Sequence, residues 1–170
     1  MLKVTLDVRR TGDMEKRVAD ISKACEGPKS VKVGLPAGKS DADLVQIAIW
    51  NHEGTAGSGK GFSVKRGGRT IGGFGGPIPR RPFLEVMVHN NKSKIRNDLR
   101  KIAEQVVAGK VDLRTALNRL GQVGAGLTQS TIQGGGFAPN APLTVEIKGS
   151  SKPLIDQARL VGSITHQVTD

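Results

Sequence analysis

The stretch from residue 54 to residue 79 most constrains what this chain can fold into. Ten of its first 23 residues are Gly, and its scattered apolar side chains are Phe62, Val64, Ile71 and Phe74. Connections in compact domains are usually about 4–6 residues long, and a loop beyond about 15 residues is usually functional or disordered. Residues 62–64 and 69–71 are suited to pair as a flexible hairpin around a Gly-Gly turn. We therefore predict an extended arm that is mobile alone and becomes ordered against a partner.

Positive charge is concentrated in and after this arm. The chain carries a formal net charge of +11, and residues 56–110 contain 12 Lys and Arg against 3 Asp and Glu, a net charge of +9. Such an excess is typical of a nucleic-acid-binding surface, of a patch that contacts acidic proteins, or of a solvated face. Stacking aromatics are scarce and no RRM, KH or zinc-finger pattern occurs, which disfavours nucleic acid. The candidate phosphate contacts are Arg66, Arg69, Arg80, Arg81, Lys92, Lys94, Arg96, Arg100 and Lys101.

Hydrophobic periodicity predicts an α+β fold in one domain spanning residues 1–170. Alternation of apolar and polar residues predicts strands at 2–8, 30–35 and 163–168. A 3.6-residue period predicts helices at 13–27, 41–54, 82–109 and 112–134, whereas residues 144–148 fit a strand or a short helix. The expected architecture is a small mixed or antiparallel sheet packed with one long and one medium helix, plus an extended Gly-rich arm or hairpin at 54–79.

The same periodicity assigns inward faces and helix ends. Pro82 suits the first residue of the long helix, and Asp112 is expected to cap the next one. Gly121, Gly124 and Gly126 should permit close contact with another helix. The expected apolar faces are Met14, Val18 and Ile21; Leu44, Ile47, Ala48 and either Trp50 or Asn51; and Leu84, either Met87 or Val88, Ile95, Leu99, Ile102 and Val106.

No pattern for catalysis, a cofactor or a metal is found in the sequence. Residues 54–61 resemble a phosphate-binding loop, but that loop requires a preceding strand, a following helix and a hydroxyl where Gly61 stands. His52, His89 and His166 lie at no metal-ligand spacing. Cys25 is the only cysteine, which suits a reducing compartment. Without a signal peptide or an apolar run of about 18 residues, we expect a protein made in a cytoplasm with no membrane contact.

Three segments, in this order, carry a family resemblance. They are residues 47–55 (IAIWNHEGT), residues 78–84 (IPRRPFL) and residues 149–156 (GSSKPLID), the last followed by Arg159-Leu160 and residues 163–165. Together they resemble the virion morphogenesis and tail-completion proteins of tailed bacteriophages, whose patterns are N-E-x-G-T, I-P-x-R-P-F-L and K-P-L-I-D-T-G-x-L-x-x-S-I. The matching residues are Glu53, Gly54, Thr55, Pro79, Arg81, Pro82, Phe83, Leu84, Pro153, Leu154, Ile155, Asp156, Arg159, Leu160 and Ser163.

Two departures from the family pattern are local. Gln157-Ala158 replaces the usual Thr-Gly, so the turn after Asp156 is expected to differ, and the Gly-rich stretch is longer than the usual link. We expect Phe83 and Leu84 to anchor the long helix in the core. Asp156 is expected to cap the last helical turn and to lie beside Arg159. Most such turn residues serve to maintain a fold.

The resemblance implies a role in assembly and no reaction. Members form rings at the head–tail junction, complete the tail and surround the channel through which the genome leaves. The implied partners are further copies of the chain and other neck, connector or tail proteins, with passive contact to passing DNA. We expect most basic charges to point away from the channel, because positive charge would retain DNA. The alternative is a basic nucleic-acid-binding module. The candidate interface residues on the arm are Phe62, Val64, Lys65, Arg66, Arg69, Ile71 and Phe74.

Overall fold

The computed structural model describes residues 13–28, 30–36, 38, 40–154 and 159–170. Six helices and four strands lie in these ranges, which confirms the α+β class. The predicted strand at residues 2–8 lies outside the described residues. The elements are α1 (Asp13–Ala24), β1 (Ser30–Gly34), α2 (Ala42–Glu53), β2 (Gly61–Arg66), β3 (Arg69–Phe74), α3 (Phe83–Val107), α4 (Leu113–Gly134), α5 (Pro142–Lys148), α6 (Arg159–Ser163) and β4 (Thr165–Thr169).

The four strands form two separate antiparallel pairs. β1 pairs with β4, so that Ser30 lies opposite Thr169 and Gly34 lies opposite Thr165. β2 pairs with β3 around the Gly67-Gly68 turn, as the sequence predicts for a hairpin. Both turn glycines have positive φ, +56° and +76°, which suits the primed hairpin turns. The strand that follows α1 therefore pairs with the C-terminal strand in one small sheet, and the hairpin forms a separate pair.

Helix α4 covers the β1–β4 sheet and packs against α3. A Cβ added to Gly121 would lie 2.4 Å from Cδ2 of His166, and one added to Gly124 would lie 2.9 Å from a methyl of Val33. The expectation that these glycines admit another helix is therefore wrong, since they admit the side chains of the sheet. A Cβ at Gly126 meets nothing within 4 Å. Gly126, the third glycine of the predicted contact, is therefore not required by close packing.

The main core lies where α2, the start of α3, α4 and the C-terminal segment meet. Phe83 is 1% exposed within this core, and the partly buried Leu84 packs against the edge of the core. Pro82 precedes the helix as its N-cap rather than forming its first residue. The buried members of the cluster are Leu44, Ala48, Phe83, Ala125, Ile132, Leu154, Leu160, Val161 and Ile164.

Several predicted inward positions are on the surface. Ile47 and Trp50 are 43% and 45% exposed, so Asn51 and not Trp50 turns inward from α2. For α3 the sequence left Met87 and Val88 as alternatives for one inward position. Met87 is buried, whereas Val88 is about half exposed, as is Leu99, which was also expected to face inward. These helices each touch the core over only part of their length, whereas periodicity marks an apolar stripe along the whole of it.

Residues 144–148, for which the sequence left a strand or a helix open, belong to the short helix α5, which begins two residues earlier at Pro142. Pro142 occupies its first turn, and Gly149 ends it in the left-handed conformation with φ +70°. These are the usual residues at the two ends of a helix. Asp112 caps α4 as predicted, because its carboxylate accepts a hydrogen bond from the backbone N–H of Thr115 at 2.8 Å.

Candidate binding groove

Arg81 is a buried cation that joins three parts of the chain. Its side chain is 3% exposed. The Nε–H donates to the carbonyl of Ala138 at 2.8 Å, and an Nη1–H donates to Oδ1 of Asn51 at 2.7 Å. An Nη2–H donates to the carbonyl of Pro139 at 2.9 Å, with a longer contact of 3.4 Å to Oδ1 of Asn140. Burial lowers the pKa of Arg81 from its ordinary value, because a charge is costly away from water.

The backbone at Arg81 strengthens the same junction. Its N–H donates to the carbonyl of Asn51 at 2.7 Å, so Asn51 meets this residue through both main chain and side chain. Five donors in a rigid fork suit arginine to several fixed acceptors at once. The end of α2, the end of the arm and the loop before α5 are therefore held in one arrangement.

An open groove of about 250 Å³ lies beside Arg81. Its walls come from α2, the base of the arm, α5 and the segment around α6. Most of the lining is apolar, and among the described residues it includes three cations and no Asp or Glu. The lining residues are Leu44, Ile47, Asn51, Pro77, Ile78, Pro79, Arg81, Asn140, Ala141, Thr144, Lys148, Leu154, Arg159 and Leu160.

The cations of the groove are partly engaged within the chain. Arg159 lies 3.3 Å from a carboxylate oxygen of Asp41, and both side chains are more than half exposed. The ammonium group of Lys148 donates to the carbonyl of Lys152 at 3.2 Å. The predicted position of Arg159 beside Asp156 involves a residue outside the described ranges, and the partner that the structure gives to Arg159 is Asp41. The groove therefore has an apolar floor, and the cations that border it contact groups of the chain itself.

The three family-like segments meet at this groove, although about 100 residues separate the first from the last. Asn51, Pro79 and Arg81 line it from the first two segments, and Leu154, Arg159 and Leu160 line it from the third. Leu154 has φ +62°, which makes it the non-glycine residue with a positive φ in the described part of the chain. Such a conformation is costly for a leucine and persists where surrounding packing enforces it.

The remaining family-like residues support the groove from behind or lie near it. Thr55 forms a two-way backbone bridge with Ile78, at 2.9 and 3.0 Å. Gly54 has φ +79°, and a Cβ there would lie 3.0 Å from the backbone of Arg80 and of Ile78. Glu53 is exposed at the end of α2, Pro153 is half-buried, and Ser163 ends α6. Ile155 and Asp156 lie outside the described residues.

The arm is a long β-ribbon that contacts α5 through Gly73 and Arg66 on one of its faces. The Thr55–Ile78 bridge and the bonds from Gly59 to Gly75 and from Gly75 to Lys60 continue the β2–β3 pairing to the base. At about 3.3 Å per residue, the ribbon extends up to roughly 35 Å. Gly57 approaches the opposite strand so closely that a Cβ would lie 2.6 Å from the carbonyl carbon of Gly76. Glycine at this position therefore allows the two strands of the ribbon to approach each other closely.

The candidate interface residues divide between the two faces of this ribbon. Phe62, Val64 and Arg66 share the face that includes Gly73 and Ile71 of the partner strand. Gly73 faces Leu143 of α5, and an Nη2–H of Arg66 donates to the carbonyl of Lys148 at 2.6 Å. The arm thus has contacts within its own chain that the sequence did not predict. Lys65 lies on the opposite face, Phe74 is 75% exposed, and Arg69 is exposed beside the turn.

Several candidate phosphate contacts are occupied by protein groups. Arg81 is buried, and Arg80 forms an ion pair with Glu85. On α3, Lys94 pairs with Asp98 at 2.7 Å and Arg100 pairs with Glu104 at 3.3 Å. These surface pairs are weak, since exposed pairs usually contribute about 0–1 kcal/mol. They reduce the density of free positive charge along α3.

The described side chains that are able to carry catalysis or to bind a metal or a phosphate do not come together in one site. The rings of His52 and Phe83 are perpendicular, with their centroids 5.0 Å apart, and Nε2 of His52 is 3.6 Å from a Glu85 oxygen. In the described ranges, no three His, Cys, Asp or Glu side chains are grouped so as to hold a metal ion. The segment at residues 54–61 follows helix α2 and precedes strand β2, so it has neither neighbour of a phosphate-binding loop. Among the described helices, none combines the length and apolarity needed to cross a bilayer.

Sequence reasoning missed the roles of Asn51, Asn140 and Lys148. The helical periodicity allows Asn51 as an inward residue of α2, and Asn140 lies in a predicted turn before Pro142. Neither position indicates its shared partner, Arg81, because 30 and 59 residues separate them from it. No protein-family model, curated protein or solved structure matches this chain.

Proposed function

We propose that this chain is a structural subunit of a phage head–tail junction, where it forms an oligomeric ring that joins or completes the tail and surrounds the DNA exit channel. The observation that supports this proposal is the meeting of three family-like segments at one groove, through Asn51, Arg81 and Leu154. Residues from three distant segments that surround an open groove are suited to receive part of a neighbour. No catalytic role is assigned to them.

The ribbon supports the same proposal by its shape. A two-stranded hairpin is marginally stable alone in water. Here both outer strand edges of β2 and β3 present backbone groups to solvent, and Phe74 projects from the face opposite α5. Exposed strand edges readily accept another chain. In a ring, the ribbon extends to neighbouring copies or to other neck, connector or tail proteins of the virion assembled in the host cytoplasm.

The experiment combines mass measurement of the purified protein with imaging. Light scattering over a range of concentrations should show a discrete oligomer, and negative-stain images should show rings. Mass spectrometry of purified virions should contain the chain at a constant stoichiometry. A protein that stays monomeric at high concentration and is absent from virions would rule out the proposal.

The alternative, a basic nucleic-acid-binding module, has one observation in its favour. Lys65 and Arg69 are exposed near the tip of the ribbon, where they are able to reach a phosphate backbone. This alternative predicts duplex-DNA binding whose affinity falls steeply with salt, with a slope set by the number of phosphates contacted. The double variant Lys65→Gln/Arg69→Gln should flatten that slope. Absence of binding at low salt eliminates the alternative.

A further inference from the structure

Helix α5 is a wall of the groove that the core does not hold. It has no buried residue, and none of its side chains belongs to the core cluster or packs against it. By contrast, the walls from α2 and α6 contribute Leu44 and Leu160 to the core, and the base of the ribbon is held by the bridge between Thr55 and Ile78. Isolated helices shorter than about 12 residues are marginal in water. The seven residues of α5 therefore depend on contacts outside the core.

The ribbon supplies two contacts that hold α5. Near the start of the helix, Leu143 lies so close to Gly73 that a Cβ on the glycine would collide with its side chain. At the end of the helix, an Nη2–H of Arg66 donates to the carbonyl of Lys148 at 2.6 Å. A cation beside the last carbonyls of a helix also interacts favourably with the helix dipole. Because both contacts come from one face of the ribbon, displacement of the ribbon removes them together.

Residues 140–152 form a compact unit around α5, here called the α5 unit. The side-chain amide of Asn140 donates to the carbonyls of residues 151 and 152 at 3.4 and 3.2 Å, which ties the two ends of the unit to each other. Compact surface loops of about 6–16 residues whose ends lie close together are frequently functional. A unit that is closed on itself in this way is able to move without losing its internal contacts.

The α5 unit lies between two fixed points. Before it, the buried Arg81 holds the carbonyl of Pro139 at 2.9 Å, but it reaches Oδ1 of Asn140 only at 3.4 Å. After it, Leu154 is buried in the core. Movement of the unit between these points changes the width of the groove, because four of its residues line the groove: Asn140, Ala141, Thr144 and Lys148.

We propose that the α5 unit is a movable wall of the groove and that the ribbon is its latch. When a neighbour displaces the ribbon, the α5 unit moves away and the groove opens. Segments with few core contacts open locally at a much smaller cost in free energy than global unfolding. The coupling is reciprocal, so that a molecule that holds the groove open also loosens the ribbon. The movement belongs to a single chain, whereas its use in assembly rests on the proposed function.

A pair of spin labels measures the movement directly. Gln46 on α2 and Glu146 on α5 are both exposed, and each is replaced by Cys and labelled in the full-length protein. Cys25→Ser removes the only native cysteine, which is exposed. Double electron–electron resonance then gives the distribution of distances between α2 and α5. We expect one main population while the latch is intact and a second population, at a different distance, when the latch is broken.

Two variants break the latch, and a third is the matched control. Gly73→Val places a side chain where Leu143 lies, and Arg66→Gln removes the bond at the end of α5. Gly72→Val makes the same change on the opposite face of the same strand, where a Cβ meets only a backbone oxygen at 3.5 Å. Arg66→Gln should raise the second population by roughly fivefold, the factor that loss of one hydrogen bond corresponds to. Gly73→Val should raise it at least as much, and Gly72→Val should leave it unchanged.

Equal distance distributions in Gly73→Val and Gly72→Val overturn the latch, as does an unchanged distribution in Arg66→Gln. Should Gly73→Val fail to fold, Arg66→Gln is compared with Lys65→Gln, which alters the other face of the ribbon. Light scattering of the same samples separates the latch from the proposed function. Monomers that show the movement support the latch and contradict the ring, whereas rings whose distance distribution does not respond to the latch variants contradict the latch alone.

Discussion

Replacement of Arg81 by methionine tests whether this buried cation holds the groove together. The guanidinium donates to the carbonyls of Ala138 and Pro139 and to Oδ1 of Asn51, over distances of 2.7 to 2.9 Å. No Asp or Glu pairs with it among the described residues. Met has a similar reach without charge or donors. The variant therefore leaves three acceptors without their partner and removes one buried charge.

The expected loss in the free energy of unfolding follows from these contacts. A buried acceptor left unsatisfied costs about 1–3 kcal/mol. Pro139 is exposed, so water is able to reach its carbonyl, and the penalty falls on Ala138 and Asn51, which are half-buried. Their sum is about 2–6 kcal/mol, and relief from burying an unpaired cation offsets part of it. We expect a net loss of about 3 kcal/mol, which lowers Tm by about 6–12 °C at this chain length.

Urea unfolding followed by circular dichroism measures the change, with Arg80→Met as the matched control. Arg80 is the preceding residue and its side chain is 49% exposed in a surface pair with Glu85. Loss of such a pair should cost no more than about 1 kcal/mol. Arg81→Lys should remain well below the unmodified protein, because an ammonium group does not reproduce the planar fork. Equal stability of Arg80→Met and Arg81→Met would refute the reasoning, as would a rise in stability for Arg81→Met.

Three further predictions concern α4 and the ribbon. Gly121→Ala should lower the free energy of unfolding by about 1–3 kcal/mol through overpacking against the sheet, whereas Gly126→Ala should raise it by up to about 1 kcal/mol. Hydrogen bonds from the first turn of α4 lower the pKa of Asp112, so its stabilisation is complete above the unfolded-chain pKa and is lost as pH falls through the lower folded pKa. Asp112→Asn should keep the cap and flatten this acid dependence of Tm. Arg66→Gln should accelerate amide exchange in β2 and β3, and Lys65→Gln on the opposite face should not.

Each of these comparisons has an outcome that contradicts its reasoning. Equal effects of alanine at Gly121 and Gly126 would show that the sheet does not approach α4 closely. An unchanged acid dependence of Tm in Asp112→Asn would exclude this carboxylate as its source. Equal exchange rates in Arg66→Gln and Lys65→Gln would show that the bond to α5 does not hold the ribbon.

Features that depend on neighbouring residues could be predicted from the sequence. The cap at Asp112, the hairpin turn at Gly67-Gly68 and the ends of the two long helices follow from local backbone and hydrogen-bonding preferences, which act over a few residues. The same preferences left residues 144–148 open between strand and helix, since their apolar pattern is too short to separate the two. The α+β class follows from these local assignments.

The groove, by contrast, depends on contacts between residues that are distant in the chain. Nothing near Arg81 indicates that Asn51 and Ala138 accept its hydrogen bonds, and a run of two arginines gives no reason for one to be buried and the other exposed. Local sequence determined the elements and the Gly-rich ribbon. Only the tertiary structure decided that the strands form two separate pairs, that the ribbon lies on α5 and that three distant segments surround one groove. The physical reason is that burial and side-chain pairing are settled when the elements pack, whereas helix ends and turns are settled within each segment.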